Sequence, residues 1–321
     1  MTTSFVAALP IGYNFVPAGI FVDGDLAGTA VDGFGMKETP VTNKEWGQAV
    51  EGMGADTFVL LAHDWETGET KLRNTGSNIQ TAMGGPVNEP VLKSLQGLQF
   101  DQGDVAILGG QILLKMVANP SAQYDRKEDK NEKGRIFSGE RQPVVGLTWF
   151  HAKVWCLLQT IRSAGEWLYD LPTDLQFFYV ASDKGAKRHG TSTGQIFDRN
   201  DYRRSLVHID GRISEIRMTV DVDDPRYELA SERPFGIDAL GNVWRWTRFN
   251  VKAKTPGNYL DGPYGIRGAS WKNYDFLEWQ SSTRIAISPD LYDIAIGFSP
   301  VVMRNGVDKY DKDKYDGGPR S

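Results

Sequence analysis

The groups with most chemistry to offer are few and scattered. The chain has one cysteine, Cys156, and four histidines, His63, His151, His189 and His208. Cys156 lies beside Trp155, Leu157 and Leu158, and a thiol in that company reads as a small core group. A single thiol forms neither an internal disulfide nor a cysteine zinc cage. The histidines show no HxH or HExxH spacing, so no histidine metal site is expected. No nucleophile-elbow pattern marks a serine hydrolase. Two arginines are more unusual: Arg245 within "DALGNVWRW" (238–246), and Arg284 within "SSTRIAISPDLYDIAIGFSP" (281–300). A guanidinium among apolar residues needs carboxylate or carbonyl partners. The second stretch is rich in Ile, Leu, Tyr and Phe, yet Pro289-Asp290 interrupts it. It is either a buried strand pair or an apolar surface kept exposed for a ligand.

The rest of the composition bounds the answer. A chain of 321 residues has room for a sizeable core, and a net charge of −5 argues against a nucleic-acid binder. Nine Trp and 35 Gly describe a loop-rich protein with large rings packed under its turns. No signal-peptide pattern opens the chain. The longest apolar run, "VAILGGQILL" (105–114), is too short to span a bilayer. The expectation is therefore a soluble protein with no export signal and no membrane insertion.

The elements that must position these residues are short. "YNFVPAGIFVDG" reads as a strand, and Thr42 with Glu45 forms a capping box that starts a helix near Asn43. Residues 52–140 are strand-like runs between turns, ending in the charged, solvated stretch "YDRKEDKNEKGRIFSGER". Apolar residues at helical spacing (Trp155, Leu158 and Ile161, with Val154 and Leu157 beside them) predict a helix over 149–163, stopped at Gly165. Thr173 with Gln176 is a second capping box, opening a short helix that carries Phe177, Phe178 and Tyr179. Short strands and turns follow, and the tail from Asn305 is charged and loose. Few helices and many short extended pieces make an α+β class.

Six segments in fixed order then carry a resemblance. "PVTNKEW" (40–46), "PVVGLTWFHAKVWC" (143–156), "LPTDLQFFYVAS" (171–182), "FGIDALGNVWRWT" (235–247), "GIRGASWKN" (265–273) and "IGFSPV" (296–301) together resemble the formylglycine-generating-enzyme type of C-type lectin fold. The resemblance implies a single domain over 1–304, with an insertion at about 52–140 and a tail at 305–321. Trp244, Trp246, Gly268, Trp271 and Arg284 would be its scaffold. The oxidase of this family uses two cysteines, which align with Phe276 and Ser281, so neither thiol is present. Relatives with a histidine-bound iron are disfavoured by the dispersed histidines. Family members commonly hold calcium where this chain has "DALGNVWRW", but Arg245 replaces the carboxylate ligand. No cofactor and no metal are expected, and Arg245 should pair with Asp238 or a nearby carbonyl. A calcium-dependent sugar lectin is poorly supported, its signature surviving only as Glu89-Pro90-Val91.

A subset of the family, the variable proteins of diversity-generating retroelements, has a C-terminal layout similar to this one. Its fixed parts stand here as Trp271, Arg284, Pro289-Asp290 and Ile296-Gly297-Phe298. Between them lie Tyr274, Asp275, Phe276 and Leu277, then Ile285, Ala286, Ile287 and Ser288, then Leu291, Tyr292, Asp293, Ile294 and Ala295. Each is reachable from an asparagine codon by changing adenines alone, whereas Glu278, Trp279 and Gln280 are not. The resemblance implies a non-enzymatic binding protein with 273–295 as its variable surface, and a cell-surface protein or glycan as its partner. Ile285, Ile287 and Ile294 could instead be ordinary core residues. The rival functions are a divergent oxidoreductase of the same family and a structural or receptor-binding subunit of a virion or phage. Localisation and oligomeric state stay open, since display through a partner needs no signal peptide. Arg284 and Asp290 are candidates for a charge-assisted bond across the turn, with other partners equally open.

Overall fold

Three helices begin where side chains can satisfy their first amides. The computed structural model describes residues 9–24, 26–51, 57–73, 105–108, 111–126, 134–187, 219–223, 234–248, 263–272 and 280–304. Helix α1 (Asn43–Glu51) starts at the Thr42–Glu45 box, in which the Thr42 amide donates to Glu45 Oε2 at 2.9 Å. Helix α2 (Trp149–Arg162) is capped by Thr148, and α3 (Asp174–Ala181) by the reciprocal Thr173–Gln176 box. Helix α2 ends through Ala164 and Gly165, both at positive φ. Its apolar face is narrower at the end than the spacing predicts: Ile161 is exposed and Leu157 only half-buried.

The strands are short and make small sheets. In the first sheet, β1 (Tyr13–Val16), β4 (Phe34–Lys37), β14 (Val301–Arg304) and β9 (Trp167–Asp170) lie antiparallel in that order. The β14–β4 pairing joins the two ends of the described chain, with Val301 opposite Met36. The expected first strand is broken at Pro17-Ala18, and β2 (Gly19–Ile20) pairs instead with β3 (Ala30–Val31). The region 52–140 supplies a sheet of its own, β6-β5-β8-β7, from β5 (Thr57–His63), β6 (Thr70–Arg73), β7 (Val105–Leu108) and β8 (Gln111–Met116). A fourth sheet, β12-β11-β10-β13, contains β10 (Trp244–Trp246), β11 (Gly265–Arg267), β12 (Arg284–Ala286) and β13 (Ile296–Gly297). This is the α+β architecture of few helices and small sheets that the sequence predicts. No helix among the described residues is long and apolar enough to cross a membrane.

One core runs through both the sheet of the 52–140 region and the rest. Val59, Leu61, Ile112 and Leu114 of β5 and β8 share a cluster with Trp46, Trp149, Trp246 and Phe298. At the seam, buried His63 reaches Tyr264 Oη through Nε2 at 2.6 Å and Thr70 Oγ1 through Nδ1 at 2.9 Å. Trp149 and Phe150 pack edge-on against the imidazole, with ring centroids at 5.6 and 5.2 Å.

Burial pushes His63 from 6.5 down to about 4, with Asp64 opposing and Lys153 assisting. Between pH 6.5 and 4 the unfolded chain therefore holds a proton that the folded one refuses. Stability is full above about pH 6.5 and declines as pH falls toward 4, by about 2–3 kcal/mol. Urea unfolding at pH 7 and pH 4.5 should differ by that amount, and His63→Gln should flatten this part of the profile. An unchanged pH dependence in the variant would show that the seam histidine is not its source.

Candidate ligand-binding face

The segment 281–300 is neither a buried strand pair nor a free loop. Its first part is the edge strand β12, paired with β11 so that Ile266 faces Ile285 and Arg267 faces Arg284. Beyond it the backbone is irregular, but its polar groups are met by the scaffold. The Ile287 amide donates to the Tyr264 carbonyl at 3.2 Å, and the Pro289 carbonyl accepts from the Trp149 amide at 3.0 Å. The Asp293 carbonyl accepts from Gly146, and that of Ala295 from the Trp244 amide at 2.7 Å. Trp271 donates its indole N–H to the Ile294 carbonyl at 3.3 Å.

With the backbone held this way, the side chains divide. Leu291 is 43% exposed, and Ser288 and Asp290 are exposed. Ile285, Ile287 and Ile294 are half-buried, each packing one side against the main core. Ala286, Tyr292 and Asp293 are also half-buried. Asp293 holds Lys272 Nζ at 2.7 and 2.8 Å and turns its Oδ1 onto the Ala295 amide. Tyr274, Asp275, Phe276 and Leu277 lie outside the described residues, as does Asn273.

The scaffold residues have clear reasons. Trp244, Trp246 and Trp271 are buried in the main core. Gly268 sits at φ +99, and a Cβ there would meet the Ala239 carbonyl at 2.6 Å. Arg284 does not hold Asp290. It donates through Nε to Asp174 Oδ2 at 2.7 Å, while Asp290 accepts from the Ser288 hydroxyl. Asp174 also takes Arg267 Nε at 2.9 Å and Thr247 Oγ1 at 3.2 Å. Burial acts to raise this carboxyl, but the Arg267 and Arg284 guanidiniums outweigh it and hold it below its ordinary value. Arg267 in turn donates to the Ser282 carbonyl at 2.8 Å, fixing the approach to β12. No local signal pointed to Asp174, which is 110 positions from Arg284 in the chain.

The loop that holds calcium in the resembled family is filled by a side chain here. Arg245 is fully buried and donates to the carbonyls of Gly241 and Val243 at 2.9 Å. Its other terminal nitrogen reaches the Asp238 carbonyl at 3.1 Å and Asp238 Oδ1 at 3.3 Å. Oxygen atoms that could ligate a cation thus surround a guanidinium, and the residues present do not fit calcium. Ser281, which the resemblance aligns with one family cysteine, is buried and donates to the Lys187 carbonyl at 2.9 Å, while Phe276 is not among the described residues. Cys156 is buried in α2, and burial pushes its thiol well above the ordinary range, away from the reactive thiolate.

Small sheets, three capped helices and a tryptophan-rich irregular core define an α+β protein of C-type-lectin-like architecture. The family model for the sulfatase-modifying factor enzyme 1-like domain matches residues 15–302, and the chain belongs to that family. Among solved structures it is similar to "Crystal Structure of CarF", with 16% identity, a TM-score of 0.48, and coverage of 91% of this chain and 98% of that one. It is also similar to Treponema denticola variable protein 1, at 14% identity and TM-score 0.46, covering 90% of this chain and 94% of that one. PvdO from Pseudomonas aeruginosa matches at 15% identity and TM-score 0.46, with 90% and 92% covered. A search of curated proteins finds no match.

Two sets of variants separate scaffold from display. Arg245→Leu leaves the buried Asp238 carboxylate without its cation and should cost about 3–5 kcal/mol, with calcium giving no recovery in thermal unfolding. Trp271→Ala should cost about 3–5 kcal/mol, and Leu291→Ser no more than about 0.5 kcal/mol. Equal costs for Trp271→Ala and Leu291→Ser in chemical denaturation would make Leu291 part of the core.

Proposed function

We propose that this chain is a ligand-binding member of its family, a variable protein of a diversity-generating retroelement, with residues 273–295 as its recognition surface. One observation carries the reading: the backbone of 285–295 is bonded to Tyr264, Trp149, Gly146, Trp244 and Trp271 through main-chain groups and one indole. None of those bonds depends on what Ile285, Ile287, Leu291, Tyr292 or Ile294 happens to be. A segment built this way tolerates a change of side chain without losing its shape, which is what a diversified surface requires. Exposed Leu291 with half-buried Tyr292 and isoleucines is a mixture suited to macromolecular recognition. Ser281 and the buried Cys156 favour binding over thiol oxidation.

The competing reading, a divergent oxidoreductase, draws on family membership alone. Both are tested on the gene and on the protein. The DNA around the gene should contain a near-identical, adenine-rich copy of the segment encoding 273–295, beside a reverse-transcriptase gene. Thiol peptides incubated with the protein, copper and oxygen should show no turnover. Turnover that survives Cys156→Ala, together with the absence of any such repeat, would give the function to the enzyme reading.

A further inference from the structure

The binding reading leaves the region 52–140 without a role, and one of its turns supplies a candidate. Between β5 and β6, residues Asp64–Thr67 form a turn closed by Asp64, whose Oδ1 accepts from the amides of Glu66 at 2.7 Å and Thr67 at 3.1 Å. Trp65 on this turn is 38% exposed, unlike the buried scaffold tryptophans. It is nevertheless held from beneath. Its ring lies edge-on to His63 at 4.7 Å, Phe150 at 6.0 Å and Tyr264 at 6.4 Å. Two of those neighbours belong to the support of the recognition segment. The Tyr264 carbonyl holds the Ile287 amide, and Phe150 follows Trp149, whose amide holds Pro289. Trp65 and the backbone of 287–289 thus rest on the same supports, Tyr264 and the Trp149–Phe150 step.

Lys71 is paired with Glu69 in this hairpin, which leaves acidic groups beside the aromatic. Asp64 and Glu66 flank Trp65 and are exposed, and Asp290 is exposed on the recognition segment. None of the three has a lysine or arginine partner among the described residues, whereas Asp293 is neutralised by Lys272. Ile287 and Leu291 offer little to sugar hydroxyls, because their side chains neither donate nor accept hydrogen bonds.

We propose that Trp65 is a fixed anchor of the recognition face, outside the variable segment, and that the partner is a protein whose apolar patch is bordered by lysine or arginine. This rests on the reading of 273–295 as the recognition surface. A rigid tryptophan costs little side-chain entropy on binding, and the acidic border favours encounter with a basic partner and rejects acidic ones. Trp65 gives every variant of the segment a common contact, while the variable side chains select among partners.

A random dodecapeptide library displayed on phage, panned against the immobilised full-length chain at low salt, supplies the probe. Enriched peptides should combine Lys or Arg with Leu, Phe or Trp. Their synthetic forms should bind at least tenfold more weakly to Trp65→Ala and to Leu291→Asp, and more weakly in 500 mM than in 50 mM NaCl. Glu66→Lys, an exposed reversal that leaves the ring packing intact, should also weaken binding, and it keeps the test decisive if Trp65→Ala fails to fold. Peptides sensitive to Leu291→Asp but indifferent to Trp65→Ala and Glu66→Lys would overturn this proposal and leave the recognition segment standing. Sensitivity to Trp65→Ala alone would remove the variable-surface reading instead. Acidic or purely hydroxylated peptides, or peptides indifferent to all three variants, would overturn the proposal.

Discussion

A chain with so little regular structure must find partners for its buried main-chain amides and carbonyls one at a time, and most of this architecture answers that demand. Long helices and wide sheets satisfy such groups by repetition; here single polar side chains do it. Asn242 serves both the amide and the carbonyl of Val220, at 3.0 and 2.8 Å. Asn43 donates to the carbonyls of Phe137 and Gly139 and accepts from Ser121. Gln142 joins the carbonyls of Ile136 and Thr219. Arg245 takes three carbonyls and a carboxylate without reaching solvent. Each of these side chains is buried, and losing one would leave several main-chain groups unpaired rather than a single contact missing.

That arrangement lets holding and displaying fall to different residues. The segment 284–295 is fixed by Asp174, Arg267 and Arg284 where it enters and by Trp271 and Trp244 where it leaves. Between those points its apolar side chains contribute partial packing, and Asp293 adds polar bonds to Lys272 and to the Ala295 amide. Half-burial of Ile285, Ile287 and Ile294 is a compromise: the apolar residues lie on the core, yet each keeps some exposed surface. Substitution at Leu291 can alter the surface freely, while at Ile285 it also alters packing. Variation along the segment is therefore expected to be unequal in its effect on stability.

The sequence was most informative where a structural feature is local. Both capping boxes, the start of α2 and its stop are settled within a few residues, and each was legible from residue type and spacing. The Arg245–Asp238 contact was also legible, because both lie in one loop. Arg284 was harder. Asp290 is near in the chain, but the true partner, Asp174, is brought in by the first turn of α3. The same limit hid His63 and Tyr264, which are 201 positions apart and meet only because the β6-β5-β8-β7 sheet docks on the core. Strand β12 has three residues, too few for an alternation of apolar and polar positions to declare itself.

The β6-β5-β8-β7 sheet is best understood from α2 rather than from its own strands. Every residue from Trp149 to Cys156 is buried, so this half of the helix presents no face to water. A helix in that position needs cover on all sides and an answer for each polar side chain. On one side the β9 sheet meets it, with Trp155 against Tyr169 and Lys153 paired to Asp170. On another, β6 and β8 lie against it, and the Lys115 carbonyl of β8 sits 3.2 Å from His151 Nε2. The first amide of the same helix, that of Trp149, holds Pro289. Support therefore passes from the β6-β5-β8-β7 sheet, through the buried half of α2, to the turn at 289. A sheet that merely decorated the surface would make no such connection, and without it α2 would have an uncovered apolar side beneath that turn.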